Sequence, residues 1–156
     1  MMTSGMYSSA KDDWETPRDL YDLLDREFHF DLDACASQGN AKCARYYTDD
    51  DDALIQNWGG AVFMNPPYGR QIGKWIRKAY EESQLNATVV VCLIPSRTDT
   101  AWWHDYVMRG DIRFLRGRLR FSDSAGSAPF PSAVVIFRRR YDEDSDNRSH
   151  VKETPA

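Results

Sequence analysis

The chain has 156 residues, a formal net charge of −4, a hydrophobic fraction of 42% and an aromatic fraction of 13%. This composition fits one folded domain and excludes an intrinsically disordered chain. No apolar run approaches the ~20 residues of a membrane span, and the three cysteines form no C-x-x-C pair. A transmembrane segment, a disulfide framework and a zinc site are therefore excluded, and a protein of the reducing cytoplasm is expected.

The first part of the chain predicts a leader, a helix and a strand. Residues 1–10 are small and polar and are expected to be flexible, and a single domain is predicted over 11–140. Thr16 and Pro17 have the pattern of a helix N-cap and first helical residue, and leucines at helical spacing follow. Residues 30–36 alternate apolar and acidic side chains, which predicts a strand that ends in a turn of small residues.

The rest of the domain alternates strands with helices. The apolar patterns predict strands at 61–64, 88–94, 112–115, 119–121 and 132–137, and helices at 72–83 and 101–108. Such alternation implies a parallel or mixed sheet with right-handed crossovers. The short closing strands, joined by glycine-containing turns, indicate an antiparallel edge. The acidic residues 141–156 lack periodicity and are predicted to be a disordered tail.

Asn65-Pro66-Pro67-Tyr68 directly follows the apolar strand at 61–64, and open α/β sheets bind ligands where their strands end. The Asn65 amide oxygen and the Pro66 carbonyl could accept both N–H bonds of an aromatic amine such as that of adenine. The nitrogen lone pair would then localise and attack a methyl group carried on sulfur. The two prolines stiffen the turn, and the Tyr68 ring could stack on a planar base.

In their order, these segments resemble the small phage-encoded DNA adenine-N6 methyltransferases of the Dam-like family, which use S-adenosylmethionine. The resemblance runs from about Trp14 to Phe137 and rests on 14–17, 30–37, 65–69, 95–100, 116–121 and 129–132. It implies a compact, reduced Rossmann-like α/β fold with a mixed, mainly parallel sheet, helices on both faces and an antiparallel edge. It also implies site-specific methylation of adenine in DNA, by a phage- or prophage-encoded enzyme in the cytoplasm of a bacterial host.

The resemblance further implies a set of cofactor contacts. The turn at 33–37 would meet the methionine end of S-adenosylmethionine, with the Asp33 carboxylate on its ammonium group. Asp52, the last of four consecutive aspartates, would reach the ribose hydroxyls or the adenine amine, and Phe63 would pack against the cofactor adenine or belong to the core. The predicted cofactor-binding residues are Thr16, Pro17, Asp33, Ala34, Cys35, Asp52 and Phe63. An ordinary helix cap at Thr16 and solvated acids elsewhere are the alternatives.

The segment between Ser37 and Gly60 is short. It holds about two dozen residues, whereas each strand–helix crossover takes at least ~10–12, so there is room for one helix and a short strand near 45–48. We therefore predict that the first strand and the 61–64 strand are sheet neighbours and that the adenosine side of the pocket is reduced. Weak cofactor binding, or help from a second subunit in a homodimer, would follow.

Charge is polarised along the chain. Residues 1–60 carry 5 basic and 13 acidic side chains, and residues 61–140 carry 13 basic and 6 acidic ones. A positive face built from the later half could hold a phosphate backbone, with an interleaved aromatic ring available for stacking or wedging. The predicted DNA-binding residues are Arg97, Arg113, Arg116, Arg118, Arg120 and Phe121. An edge hairpin whose arginines only solubilise it is the alternative.

Other functions are also compatible with the sequence. Methylases of RNA bases and of protein glutamine share Asn-Pro-Pro-Tyr, and cytosine-N4 methylases usually have Ser or Asp in place of Asn65. A non-catalytic nucleic-acid-binding relative is an alternative of another class. The three scattered histidines do not suggest a metal.

Overall fold

A computed structural model of the protein describes residues 13–37, 39–122 and 125–140. The predicted leader at 1–10 and tail at 141–156 lie outside this part of the chain. The strands are β1 Leu32–Asp33, β2 Arg45–Tyr46, β3 Gly60–Met64, β4 Ala87–Pro95, β5 Asp111–Phe114 and β6 Ser132–Arg138. The helices are α1 Arg18–Phe28, α2 Ile72–Leu85 and α3 Ala101–Asp105.

The six strands form one mixed sheet in the order β2-β1-β3-β4-β6-β5. The pairs β1–β2, β1–β3 and β3–β4 are parallel, whereas β6 runs antiparallel to both β4 and β5. The predicted mixed, mainly parallel sheet with an antiparallel edge is confirmed. The predicted neighbours are also paired, with Leu32 opposite Val62 and Asp33 opposite Phe63. The turns after β1 and β3 therefore leave the same edge of the sheet side by side.

Helices cover both faces of this sheet. On one face, Phe63 of β3 packs edge-on against Tyr21 of α1, with ring centroids 5.2 Å apart. Phe63 is in register, across β4, with Ile136 of β6, so these two side chains point to the same face of the sheet. Phe137 is the next residue of β6 after Ile136. Because successive residues of a strand point to opposite faces, Phe137 lies on the other face, where its ring contacts Tyr80 of α2 at 5.6 Å.

The helix predicted between the first strand and β3 does not form. Two short 3-10 turns, Asp49–Asp51 and Ala53–Ile55, stand in its place. Thr48 and Asp51 make a capping box that starts the first turn, and Asp52 then adopts a left-handed conformation with φ 51° that ends it. The short polar side chains of Asp favour such local caps and turns over a helix interior.

Three further boundaries differ from the sequence prediction. The strand predicted over 30–36 is reduced to β1, and the helix predicted over 101–108 ends at Asp105, with a 3-10 turn at Val107–Arg109. The strand predicted over 119–121 is wrong, because this segment is an irregular loop held by the Ala128 N–H on the Leu119 carbonyl. Among the described residues, no helix is both long and apolar enough to cross a membrane.

A buried polar network fixes the connection into β3. The Trp58 side chain is fully buried, and its Nε1 donates to the Ala53 carbonyl at 2.9 Å. The Trp58 backbone N–H donates to the Glu82 carboxylate of α2 at 2.7 Å. Glu82 also accepts hydrogen bonds from Lys78 and Asn86. This network ties the 3-10 turns beside β1 and β2 to the helix that covers β4.

We expect Glu82 to make stability depend on acidity. Burial raises the pKa of Glu82, but the hydrogen bonds from Trp58, Lys78 and Asn86 outweigh it and lower the pKa below the ordinary 4.5. The pKa of Glu82 is lower in the folded state than in the unfolded state. Its contribution to the free energy of unfolding is therefore complete when the pH is above the unfolded-state pKa, and it is lost as the pH falls through the folded-state pKa. Urea unfolding between neutral pH and about pH 3 should show a smaller acid loss of unfolding free energy for Glu82→Gln than for wild type. Equal pH slopes would contradict this assignment.

Candidate active site

A cavity of ≈ 260 Å³ lies at the sheet edge where the parallel strands end. Its walls come from the segments that follow β1, β2 and β3 and from residues 13–16, which precede α1. This is the place where open α/β sheets bind ligands. The volume is just below the ~300–1,000 Å³ that is usual for small-molecule pockets, in keeping with the prediction of a reduced pocket.

Most of the predicted cofactor and catalytic residues meet in this cavity. Its walls include Thr16, Asp33, Ala34, Cys35, Asp52, Phe63, Asn65 and Pro67. Pro17, Pro66 and Tyr68 lie beside it without forming its wall. The cavity therefore joins the turn after β1 to the turn after β3, although the two are about thirty residues apart in the chain.

The Asn65 amide is held in one orientation. Its Nδ2 donates to the Trp14 carbonyl and to the Thr16 hydroxyl, the latter at 2.9 Å. Because a carbonyl can only accept, the nitrogen rather than the oxygen must face Trp14. The Asn65 Oδ1 is buried and has no hydrogen-bond partner among the described residues. A buried acceptor without a donor costs about 1–3 kcal/mol, so this oxygen is suited to a donor that arrives with a ligand.

The prediction that Thr16 caps the first helix is wrong. Pro17 occupies the N-cap position of α1, and it makes no side-chain capping bond. The Thr16 side chain is buried, and its hydroxyl accepts from Asn65. The Thr16 carbonyl also accepts from the Ser122 hydroxyl. Thr16 therefore connects the predicted catalytic turn, residues 65–68 after β3, to the N-terminal segment and to the loop between β5 and β6.

The prediction that Tyr68 offers an open stacking face is contradicted by its position. The Tyr68 side chain is only 3% exposed, and its hydroxyl donates to the Leu93 carbonyl at 2.9 Å. Phe121 and Phe130 pack edge-on against the ring, with centroids at 6.3 and 5.6 Å. Burial raises the pKa of the Tyr68 phenol well above its ordinary value. In this conformation Tyr68 anchors the turn to β4.

Asp33 holds the turn that follows β1. Its carboxylate accepts from the Cys35 N–H at 3.3 Å and from the Lys42 N–H at 3.0 Å, and the residue is 3% exposed. Burial raises the pKa of Asp33, against the lowering effect of these backbone hydrogen bonds from Lys42 and Cys35. Each carboxylate oxygen therefore already accepts one backbone hydrogen bond, from Cys35 or from Lys42. Direct pairing of Asp33 with a ligand ammonium stays a prediction.

The cavity wall also carries the residues predicted for the adenosine moiety. Asp52 is exposed at its left-handed position and lines the cavity together with Asp49. Phe63 is 1% exposed and contacts the rings of Tyr21 and Phe30, yet it also lines the cavity. Both roles considered for Phe63, core residue and cavity wall, therefore apply.

The arginines predicted for DNA contact fall into two groups. Arg97, Arg116, Arg118 and Arg120 are exposed. Arg97 lies next to the predicted catalytic turn, since its Nη1 is 3.5 Å from the Tyr68 carbonyl that accepts from it. The other three belong to the loop between β5 and β6. Their exposure leaves them accessible to a phosphate backbone.

Arg113 and Phe121 differ from the prediction. Arg113 of β5 forms a bidentate ion pair with Glu27 of α1, at 2.8 and 2.7 Å. Its guanidinium therefore links the edge strand to the first helix. The Glu27 pKa is lowered, chiefly by this hydrogen bond. Phe121 is 1% exposed and packs against Trp14, Tyr68 and Phe130. In this conformation the Phe121 ring is not available for stacking or wedging, and its role in DNA binding stays a prediction.

The wall has further residues that were not among the predicted site residues, although Ala36 and Ser37 belong to the turn predicted to meet the methionine end of the cofactor. They are Asp13, Trp14, Glu15, Ala36, Ser37, Asn40, Lys42, Tyr47, Thr48, Asp49, Ala53 and Trp75. Lys42 carried the clearest signal, because it is the one Lys or Arg between Arg26 and Arg45 in an acidic half of the chain. No group of three or more His, Cys, Asp or Glu within the described residues is arranged to hold a metal ion.

Comparison with known proteins places the chain in a family. It is 34% identical over 98 residues to a DNA N-6-adenine-methyltransferase of Escherichia phage T1, across 61% of this chain and 40% of that protein. It is 34% identical over 107 residues to a DNA N-6-adenine-methyltransferase of Haemophilus phage HP1, across 66% and 61% of the two chains. The matched region thus spans less than two thirds of the length of either relative.

Among solved structures, the 23S rRNA methyltransferase ErmE superposes with a TM-score of 0.55 over 89% of this chain and 76% of that one. At 12% identity this likeness shows a shared Rossmann-like fold. The DNA N-6-adenine-methyltransferase (Dam) family matches residues 3–154, which is nearly the whole sequence. The chain therefore belongs to the DNA N-6-adenine-methyltransferase (Dam) family.

Proposed function

We propose that the protein is a site-specific methyltransferase that moves the methyl group of S-adenosylmethionine to the N6 amine of adenine in DNA. The observation that carries this proposal is the buried Asn65 Oδ1, which lacks a donor and belongs to a residue in the cavity wall. Family membership and the activity for which the two phage relatives are named support it.

The cavity residues fit S-adenosylmethionine. Small side chains at Ala34 and Ala36 let the backbone approach a ligand, and the carboxylates of Asp49 and Asp52 suit ribose hydroxyls. The buried, unpartnered Asn65 Oδ1 offers an acceptor to an amine beside the same cavity. When bound, S-adenosylmethionine would supply an electrophilic methyl group on its sulfonium.

The catalytic turn would activate the amine by accepting its hydrogen bonds. Asn65 Oδ1 would take one N–H and the Pro66 carbonyl the other, which draws the nitrogen toward a tetrahedral geometry. The Asn65 Nδ2 bonds to Trp14 and Thr16 prevent rotation of the amide, so no reorganisation is needed when the amine arrives. The neutral amine would attack the methyl carbon as the sulfonium C–S bond breaks, with S-adenosylhomocysteine leaving as a neutral thioether. The methylated, positively charged amine would then lose its proton to water, so the turn would need no general base.

Adenine in a duplex hides its amine, so the base must leave the stack. The exposed Arg116, Arg118 and Arg120 suit phosphate contacts that position the strand, with Arg97 beside the catalytic turn. For a base to stack on Tyr68, the rings of Phe121 and Phe130 would have to move away. The same proposal places the enzyme in the cytoplasm of a bacterial host and allows a second copy of the chain to complete the reduced pocket.

Methyl transfer from tritiated S-adenosylmethionine to DNA, RNA and protein tests the proposal. We expect label in adenine-containing DNA and background label in RNA and in protein. The matched control is Asn65→Ala, which should label DNA about 10²- to 10³-fold more slowly than wild type. Label confined to RNA or to protein would overturn the DNA assignment, and equal labelling of DNA by wild type and Asn65→Ala would overturn the role of the amide.

A further inference from the structure

Lys42 brings a buried positive charge to the cavity wall. Its side chain is only 6% exposed, and the residue lines the cavity. The Lys42 Nζ lies 3.3 Å from the Asn40 carbonyl that accepts from it, and 3.6 Å from the Glu15 carboxylate. A buried ammonium needs close anionic or hydrogen-bonding partners to offset its desolvation. Both of these contacts are longer than the ~2.7–2.9 Å of a good charged hydrogen bond, so the ammonium is suited to a further anionic partner.

The backbone of Lys42 is fixed by the turn after β1. Its N–H donates to the Asp33 carboxylate at 3.0 Å, and the preceding segment is closed by the Ser37 N–H on the Asn40 side chain at 2.7 Å. Asp33 therefore acts on the loop that carries Lys42. This arrangement holds the ammonium in the part of the cavity wall that follows β1.

Glu15 supplies the opposite charge at the same place. Its side chain is about one-third exposed, and it adjoins Thr16, which holds the catalytic Asn65. An ammonium and a carboxylate 3.6 Å apart on one wall form a pattern complementary to an amino-acid zwitterion. S-Adenosylmethionine ends in such a zwitterion, with an α-carboxylate and an α-ammonium on the same carbon.

We propose that Lys42 and Glu15 together bind the amino-acid end of the methyl donor, with Lys42 on its α-carboxylate and Glu15 on its α-ammonium. Asp33, which was expected to contact the ammonium, acts instead as a positioning residue for Lys42. This inference rests on the proposed function, because it presupposes that S-adenosylmethionine or its product occupies the cavity.

Calorimetric titration with S-adenosylhomocysteine and with its decarboxylated analogue tests the Lys42 contact without any turnover. Wild type should bind S-adenosylhomocysteine roughly 10- to 100-fold more tightly than the analogue that lacks the carboxylate. Lys42→Met keeps the length of the side chain and removes its charge, so it should bind both ligands with nearly equal affinity. Lys42→Arg retains a cation and should recover part of the preference.

The Glu15 contact has its own arm and control. Glu15→Gln should lose the preference for S-adenosylhomocysteine over its deaminated analogue, and Asp52→Asn should weaken all three ligands to a similar extent because it acts on the adenosine side. If Lys42→Met fails to fold, the Lys42 contact is judged from two other affinity ratios between S-adenosylhomocysteine and its decarboxylated analogue. These are the ratios of the wild-type protein and of the Lys42→Arg variant.

The outcomes separate this inference from the proposed function. A wild-type protein that binds all three ligands equally, or a folded Lys42→Met that discriminates as wild type does, would overturn the inference and leave the proposed function standing. A wild-type protein that binds none of the ligands would overturn the proposed function itself.

Discussion

Replacing Asn65 by alanine is expected to lower the rate of methyl transfer to DNA by about 10²- to 10³-fold, the loss typical when one preorganised polar contact to the reacting group is removed. The physical reason is the buried Oδ1, which has no partner among the described residues and is held in place through Nδ2. Without it, one N–H of the amine has no acceptor and the nitrogen lone pair stays delocalised. Initial rates with tritiated donor, together with calorimetric binding of S-adenosylhomocysteine, measure the two effects separately.

Thr16→Val is the matched control for Asn65→Ala. It removes one of the two acceptors that orient the amide and leaves the Trp14 carbonyl in place. We therefore expect a smaller loss of rate, about tenfold, which corresponds to one hydrogen bond. Both variants should bind S-adenosylhomocysteine nearly as wild type does. An Asn65→Ala protein that keeps more than about a tenth of the wild-type rate would contradict the role given to Oδ1.

Trp58→Ala is expected to lower the free energy of unfolding by about 3–5 kcal/mol, as for other large aromatic residues deleted from a core. The indole is fully buried and donates to the Ala53 carbonyl, while the Lys78 ammonium lies 5.6 Å from the ring centroid. Removing the indole leaves a cavity, leaves the Ala53 carbonyl without its donor and removes the ring that lies beside the Lys78 ammonium. Because the whole domain is stabilised by only about 5–15 kcal/mol, this variant should be close to unfolding at physiological temperature.

Trp58→Phe separates packing from hydrogen bonding. It keeps most of the ring volume and the backbone bond to Glu82, and it loses only the Nε1 donor to Ala53. We expect a cost of about 1–3 kcal/mol, the usual penalty for an unpaired buried acceptor. Urea unfolding followed by circular dichroism measures both variants. A Trp58→Ala protein within about 1 kcal/mol of wild type would contradict the anchoring role of Trp58.

The elements that the sequence predicted well are those whose signal is local and repeated. The apolar run at 88–94 and the helical stripe at 72–83 became β4 and α2 with boundaries shifted by one or two residues. The pairing of β1 with β3 also followed from chain length, because the segment between them is too short to hold two strand–helix units. Hydrophobic periodicity and loop length can be read directly from one sequence, without information on tertiary contacts.

The errors arose where distant segments decide the outcome. Thr16 has the sequence of a helix cap, but its hydroxyl binds Asn65, 49 residues later. Phe121 sits among arginines and suggests an exposed face, yet it is buried against Trp14 from the other end of the chain. Arg113 resembles a phosphate ligand, and its contact with DNA stays a prediction, but its ion pair with Glu27, 86 residues away in sequence, was not foreseen. No local pattern could show these contacts.

The candidate site was predicted in part for the same reason. The predicted catalytic turn is one continuous tetrapeptide after a strand, so the sequence could point to Asn65, which lines the cavity. The Lys42–Glu15 pair comes from two segments 27 residues apart that meet only when β1 and the N-terminal segment are in place. The acidic surroundings of Lys42 marked it as unusual, but its partner and its burial required the fold.

Nucleoside analysis of DNA after incubation with the purified protein and S-adenosylmethionine tests the central claim most directly. We predict that mass spectrometry will detect N6-methyl-2′-deoxyadenosine in DNA treated with wild type and, after the same short incubation, about 10²- to 10³-fold less in DNA treated with Asn65→Ala. Appearance of N4-methyl-2′-deoxycytidine in its place, or unmodified DNA from a protein that binds S-adenosylhomocysteine, would contradict the claim that this turn activates the amine of adenine in DNA.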